Sequence, residues 1–62
     1  MNEIAQARQT LNVSQAQLGE LLGVTQATIS RYETGAAVMP ERTRRLLRHV
    51  VADRTGEQDR AA

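Results

Sequence analysis

Gln26, Ala27, Thr28 and Arg31 fall within one short stretch and are the side chains of this sequence best suited to recognition chemistry. A glutamine carboxamide sets an acceptor beside a donor, and a guanidinium presents a planar fork of N–H groups. Glutamine pairs bidentately with adenine and arginine with guanine, while a small apolar group meets the thymine methyl, so the quartet suits base-pair edges in a DNA major groove. Thr28 admits two roles, a methyl contact or a phosphate hydrogen bond. Nothing comparable is set out for catalysis. His49 is the only histidine, cysteine is absent and the carboxylates stand singly, so no reaction, cofactor or metal is expected.

These side chains need a helix that turns them to one side. The stretch from Ser14 to Glu33, SQAQLGELLGVTQATISRYE, predicts two short helices joined by a tight turn. Ser14 and Gln17 form the S-x-x-Q arrangement in which two side chains satisfy two orphan amides at a helix start, so the first of the pair begins at Gln15. Leu18, Leu21 and Leu22 share one face, and Gly23 follows where the chain must leave the helix through a left-handed conformation. Thr25 is a second N-cap, after which Ile29 and Tyr32 point back at the leucines. That leaves a helix from Gln26 to Glu33 with a polar outer face. Two capped helices so close together, with glycine between them, fit a helix-turn-helix.

The match extends position by position. Leu18, Gly19, Leu22, Gly23, Val24, Ile29 and Tyr32 supply, in order, apolar, small, apolar, glycine, apolar, β-branched and apolar residues. In this the chain resembles the helix-turn-helix of the phage repressor and Cro (XRE-like) family. The family usually has alanine where Gly19 stands; glycine inside a helix costs about 0.5–1 kcal/mol relative to alanine, but meets the same need for a small residue under the crossing helix. The resemblance implies a lambda-repressor-like domain that inserts the helix from Gln26 to Glu33 into the major groove, with Gln26, Ala27, Thr28 and Arg31 reading bases. It also implies phosphate contacts from Arg8, which the family pairs with a glutamate at the position of Glu33, and from Gln15, Ser30, Gly35 and Arg42. Gln15 stands at a helix N-terminus, whose free amides favour an anion. The resemblance covers Ile4 to Pro40 with specific motifs, and Glu41 to Arg54 only as a further helix.

Sixty-two residues make one domain, and a chain of that length buries only about 60% of the surface it exposes when unfolded. No apolar run is long enough for a membrane span, and Met1 to Leu11 lacks the apolar region of a signal peptide. A cytoplasmic location is expected, in a bacterium or encoded by a phage. The net charge of +1 is unevenly spread. Residues 1–39 carry Arg8 and Arg31 against Glu3, Glu20 and Glu33, a net −1. Residues 40–54 carry Arg42, Arg44, Arg45, Arg48 and Arg54 against Glu41 and Asp53, a net +3. Every basic residue is arginine, which suits bidentate phosphate contact, and which a genome biased towards arginine codons also produces.

Asn2 can cap a first helix over Glu3 to Leu11, with Ile4, Ala7 and Leu11 as its apolar stripe and Asn12 as its left-handed terminator. Thr34 to Ala37 opens a loop, and Pro40 suits the start of a fourth helix over Glu41 to Ala52. In that helix Leu46, Leu47, Val50 and Val51 make a stripe wider than one neighbour needs. The expected fold is all-α, a small bundle of four helices around a central helix-turn-helix, with a core of Ile4, Ala7, Leu11, Leu18, Leu21, Leu22, Val24, Ile29, Leu46 and Val50. The surplus column, Leu47 and Val51, is assigned to a homodimer interface. The domain is placed at residues 1–54 and a disordered polar tail at 55–62, so that the fifth helix of many relatives is expected to be absent.

The function expected is that of a sequence-specific DNA-binding transcriptional regulator, a repressor or autoregulator. It would bind a pseudo-palindromic operator in double-stranded DNA as a homodimer. The alternative, from a different class, is an antitoxin-type protein-interaction module of a toxin-antitoxin pair.

Overall fold

Each helix starts where a side chain or a proline prepares it. The computed structural model describes residues 2–56. Asn2 precedes α1 (Glu3–Leu11), and its Oδ1 accepts the Ala5 N–H at 3.0 Å. Ser14 precedes α2 (Gln15–Leu22) with the reciprocal pair in place: its Oγ accepts the Gln17 N–H at 3.1 Å, and Gln17 Oε1 accepts the Ser14 N–H at 2.8 Å. Thr25 caps α3 (Gln26–Thr34) by accepting the Thr28 N–H at 3.1 Å. Pro40 leads into α4 (Glu41–Thr55) with no side-chain cap of its own. Among the described residues no strand occurs, so the all-α expectation holds.

The turns between the first three helices depend on left-handed residues. Asn12 closes α1 at φ 57°, and Gly23 closes α2 at φ 73°. Asparagine tolerates this region and glycine carries no penalty there, which lets each chain reversal occupy so few residues. With turns this short, α2 packs most extensively on α3, while α1 lies across both α3 and α4 and α2 also reaches α4. Ile4 and Ala7 from α1, Leu18 and Leu22 from α2, Ile29 from α3 and Leu47 from α4 form the buried centre. Leu11, Val13, Leu21, Val24, Tyr32, Met39, Val50 and Val51 pack around it half-buried. No polar or charged residue is fully buried among those described, so the interior is held by apolar contact alone.

Two assignments in α4 are reversed. Leu47 is 2% exposed and belongs to the core, whereas Leu46 is 39% exposed. Leu47 is therefore not available to a dimer interface, and Leu46 is not a core residue. Neighbouring residues differ by about 100° around a helix, so apolar pairs at i, i+1, i+4, i+5 leave its rotation open by that amount. The contacts of α1 and α2 with α4 select the phase centred on Leu47. The helix also runs beyond Ala52 to Thr55, where the Thr55 hydroxyl donates to Val51 O at 2.9 Å and Gly56, at φ 78°, closes the end. Thr55 and Gly56, expected in a disordered tail, thus belong to this helix end, and residues 57–62 lie outside the described residues. At its other end, α3 extends one residue past Glu33, to Thr34.

Glu3 clips α1 to α4. Its two carboxylate oxygens lie 3.1 Å from Arg44 Nε and 3.6 Å from Arg48 Nε, and Arg44 also approaches Glu41 at 3.8 Å. Such solvent-accessible pairs are individually worth about 0–1 kcal/mol. Their larger effect is on charge: part of the arginine excess of α4 is spent inside the molecule.

Candidate nucleic-acid interface

The outer face of α3 is built by burial of its opposite side. Ile29 is fully buried and Tyr32 half-buried against the core, and helical geometry then turns Gln26, Ala27 and Arg31 to solvent, where all three are exposed. Ser30 follows Gln26 by one turn on the same face and is half-buried. Among the described residues neither Gln26 nor Arg31 has a side-chain hydrogen bond or ion pair, so a planar amide and a guanidinium stand unengaged on one surface. Thr28 sits on the flank. Its hydroxyl is 2.8 Å from that of Thr25, and its N–H is bonded to the same oxygen. These bonds leave the methyl group of Thr28 uninvolved and the remaining hydrogen-bonding capacity of its hydroxyl unused.

Behind the far end of α3 three helices converge on one carboxylate. Arg8 Nη1 of α1 donates to Glu33 Oε1 at 2.6 Å, and Gln15 Nε2 of α2 donates to Glu33 Oε2 at 3.2 Å. Arg8 Nε also donates to Val13 O at 3.3 Å, which holds the loop between α1 and α2 in the same cluster. The family resemblance implies the Arg8–Glu33 pair, but not the third member; the Gln15 amide joins it only because the turn at Asn12 brings the start of α2 beside the end of α3. The cluster leaves guanidinium N–H groups of Arg8 without a partner. At the start of α2, the Ser14 side chain and backbone oxygen take the Gln17 and Leu18 N–H groups, while those of Gln15 and Ala16 point out of the helix end unpaired among the described residues.

Gly35 is exposed in the loop after α3 at φ 84°, a left-handed position suited to glycine. Arg42 is exposed on the outward side of α4, where it lines a shallow depression with Glu41, Arg45, Leu46 and His49. No hydrogen bond or ion pair among the described residues joins Arg42 to the Arg8, Gln15 and Glu33 cluster. The residues expected to act together thus form two groups, the outer face of α3 and the cluster at its end, with Arg42 apart.

Gly19 explains the spacing of the two motif helices. A β-carbon there would meet Val24 O at 2.7 Å and Thr25 C at 3.3 Å, both backbone atoms of the turn that enters α3. The Val24 N–H in turn donates to Gly19 O at 2.9 Å. The need is thus stricter than for a merely small residue, since this backbone approach is closer than an alanine admits.

A family model described as a helix-turn-helix domain matches residues 2–61. The chain belongs to that helix-turn-helix family. None of the curated proteins and none of the solved structures compared with it matches. The second helix of that motif is α3 here, and Gln26, Ala27 and Arg31 are exposed on it. Among the described residues no helix is long and apolar enough to cross a membrane.

Proposed function

We propose that this helix-turn-helix domain is a sequence-specific transcriptional regulator of the phage repressor and Cro kind, acting as a repressor or autoregulator in the cytoplasm of a bacterium or phage-infected cell. The observation that carries the reading is the unengaged surface of Gln26, Ala27 and Arg31 on α3, adjoining a cluster in which Arg8 and Gln15 keep unpaired donors. In this reading α3 lies in the major groove, where Gln26 and Arg31 bond base edges and Ala27 and the Thr28 methyl make apolar contacts. Arg8, Gln15 with the amides at the start of α2, Ser30, the Gly35 backbone and Arg42 meet phosphates, which fixes register without reading sequence.

Two such domains about one helical turn apart give a pseudo-palindromic operator, since a single reading head of this size touches few base pairs. With Leu47 in the core, the dimer surface falls to the half-buried Val51 and to the groove of about 320 Å³ that it lines between α1 and α4 with Thr10, Ala52 and Gln6.

The test is selection of a duplex from a random pool by the full chain, followed by binding of alanine variants to the selected, singly substituted and random duplexes. A cognate-to-random ratio that is lost with Gln26→Ala and Arg31→Ala supports base reading. An unchanged ratio for both transfers the preference to the antitoxin-type protein-interaction module.

A further inference from the structure

The C-terminal end of α3 is closed differently from every other helix end described. Asn12, Gly23 and Gly56 each turn their own N–H back onto the preceding helix, to Arg8 O, Glu20 O and Ala52 O. Gly35 makes no such bond. A helix leaves its last carbonyls without internal partners, and they must find others. Arg31 O accepts from Ala37 N–H and the Thr34 hydroxyl, both at 3.3 Å. Tyr32 O and Glu33 O accept from a residue 30 and 31 positions away: Asn2 Nδ2 donates to them at 2.8 and 2.9 Å. The Oδ1 of the same carboxamide caps α1 at Ala5 N–H. One side chain therefore closes the start of α1 and the end of α3 together.

We propose that Asn2 is a positioning residue for DNA binding. It fixes the last turn of α3 against α1 and so sets where Glu33 holds Arg8 and Gln15. The inference rests on the phosphate-contact reading of Arg8 given above. The geometry supports it in two ways. Asn2 grips the backbone of the very residue whose carboxylate holds Arg8, at 2.6 Å, and Gln15, at 3.2 Å, so a shift of the Glu33 backbone carries both donors with it. The amide, not the cap, is the distinctive part, because serine or aspartate serves α1 as well at its first position but neither donates to two carbonyls.

Asn2→Ser retains an N-cap and loses the amide. Asn2→Asp retains the cap and turns a carboxylate oxygen on Tyr32 O and Glu33 O. Both are made in the full chain, alone and with Arg8→Ala, and binding to a random-sequence DNA duplex is measured across a salt series at a temperature where circular dichroism gives each variant the wild-type helix content. Arg8→Ala is expected to lower the slope of log affinity against log salt by about one. Asn2→Ser is expected to lower it in the same direction and Asn2→Asp further, and neither is expected to lower it again once Arg8 is gone, because the two residues act through one contact. A wild-type slope for Asn2→Ser, or losses that simply add to that of Arg8→Ala, overturns the proposal and leaves Asn2 as a helix cap. Should only Asn2→Asp hold its helix content, the double-variant comparison with Arg8→Ala decides on that variant alone. If the wild-type chain binds no duplex, or Arg8→Ala leaves its slope unchanged, the phosphate reading itself has failed and the proposal falls with it.

Discussion

At the scale of single residues, burial on one side of α3 determines what the other side offers. Ile29 has no exposed surface, and this orients Gln26 and Arg31 more firmly than their own chemistry does. Replacing either with alanine is expected to cost about 1–3 kcal/mol on a selected duplex and to relax preference at one or two base pairs. Gln26→Ala should leave binding to random duplex nearly unchanged, because an uncharged side chain releases no counterions; titration of both duplexes in parallel checks this. Gly19 carries a prediction of opposite sign to the one its helix propensity suggests. Alanine gains about 0.5–1 kcal/mol in a helix interior, yet its β-carbon would lie 2.7 Å from Val24 O, and a backbone atom held in a tight turn has little freedom to withdraw. Gly19→Ala is therefore expected to lower the midpoint of thermal unfolding, and a raised midpoint would show that the turn yields.

Among the elements, the helix starts were readable and the rotation of the last helix was not. Asn2, Ser14 and Thr25 each accept from the N–H three residues on, which is chemistry set within four residues of chain. The Thr25 cap serves the helix proposed to face DNA; Thr25→Ala is expected to cost about 1 kcal/mol, measured by urea unfolding, and to free the Thr28 hydroxyl now 2.8 Å away. The α4 stripe has no such local marker. Because Leu47 is 2% and Leu46 39% exposed, Leu47→Ala should cost about 2–5 kcal/mol, enough to unfold a domain of this size, whereas Leu46→Ala should cost well under half of that. Comparable losses for the two in denaturant melts would place the helix at a different rotation.

For the whole molecule, the proposed sequence-specific reading asks more contacts than one short helix of a 62-residue chain offers. Pairing two copies is the expected route, and Val51 is the side chain that the proposed surface requires. Val51→Glu places a charge in the groove between α1 and α4, beside Thr10 and Ala52. It is expected to weaken self-association and cooperative binding to a two-fold duplex, while binding to a half-site is retained. Sedimentation of wild type and variant, with and without DNA, distinguishes the outcomes; identical behaviour of the two would remove this face from the assembly. Salt bears on the same scale, since Glu3 lies against Arg44 and Arg48 and offsets one of their two positive charges.

What the amino-acid sequence determined by itself is everything governed by near neighbours along the chain. The helix starts, the caps at Asn2, Ser14 and Thr25, the terminators Asn12, Gly23 and Gly35 and the polar composition of the α3 face follow from spacings of four residues or fewer, where chain connectivity brings the interacting atoms together, whereas the end of α4 at Thr55 does not. The tertiary structure decided whatever depends on which surfaces meet. It chose Leu47 over Leu46, because only the packing of α1 and α2 on α4 distinguishes two adjacent apolar positions. It brought Gln15 to Glu33 and Asn2 to the end of α3, contacts across 18 and 30 or more residues that no local pattern encodes. It also tightened the demand at Gly19 from a small side chain to none, since the backbone of the turn passes where a β-carbon would stand.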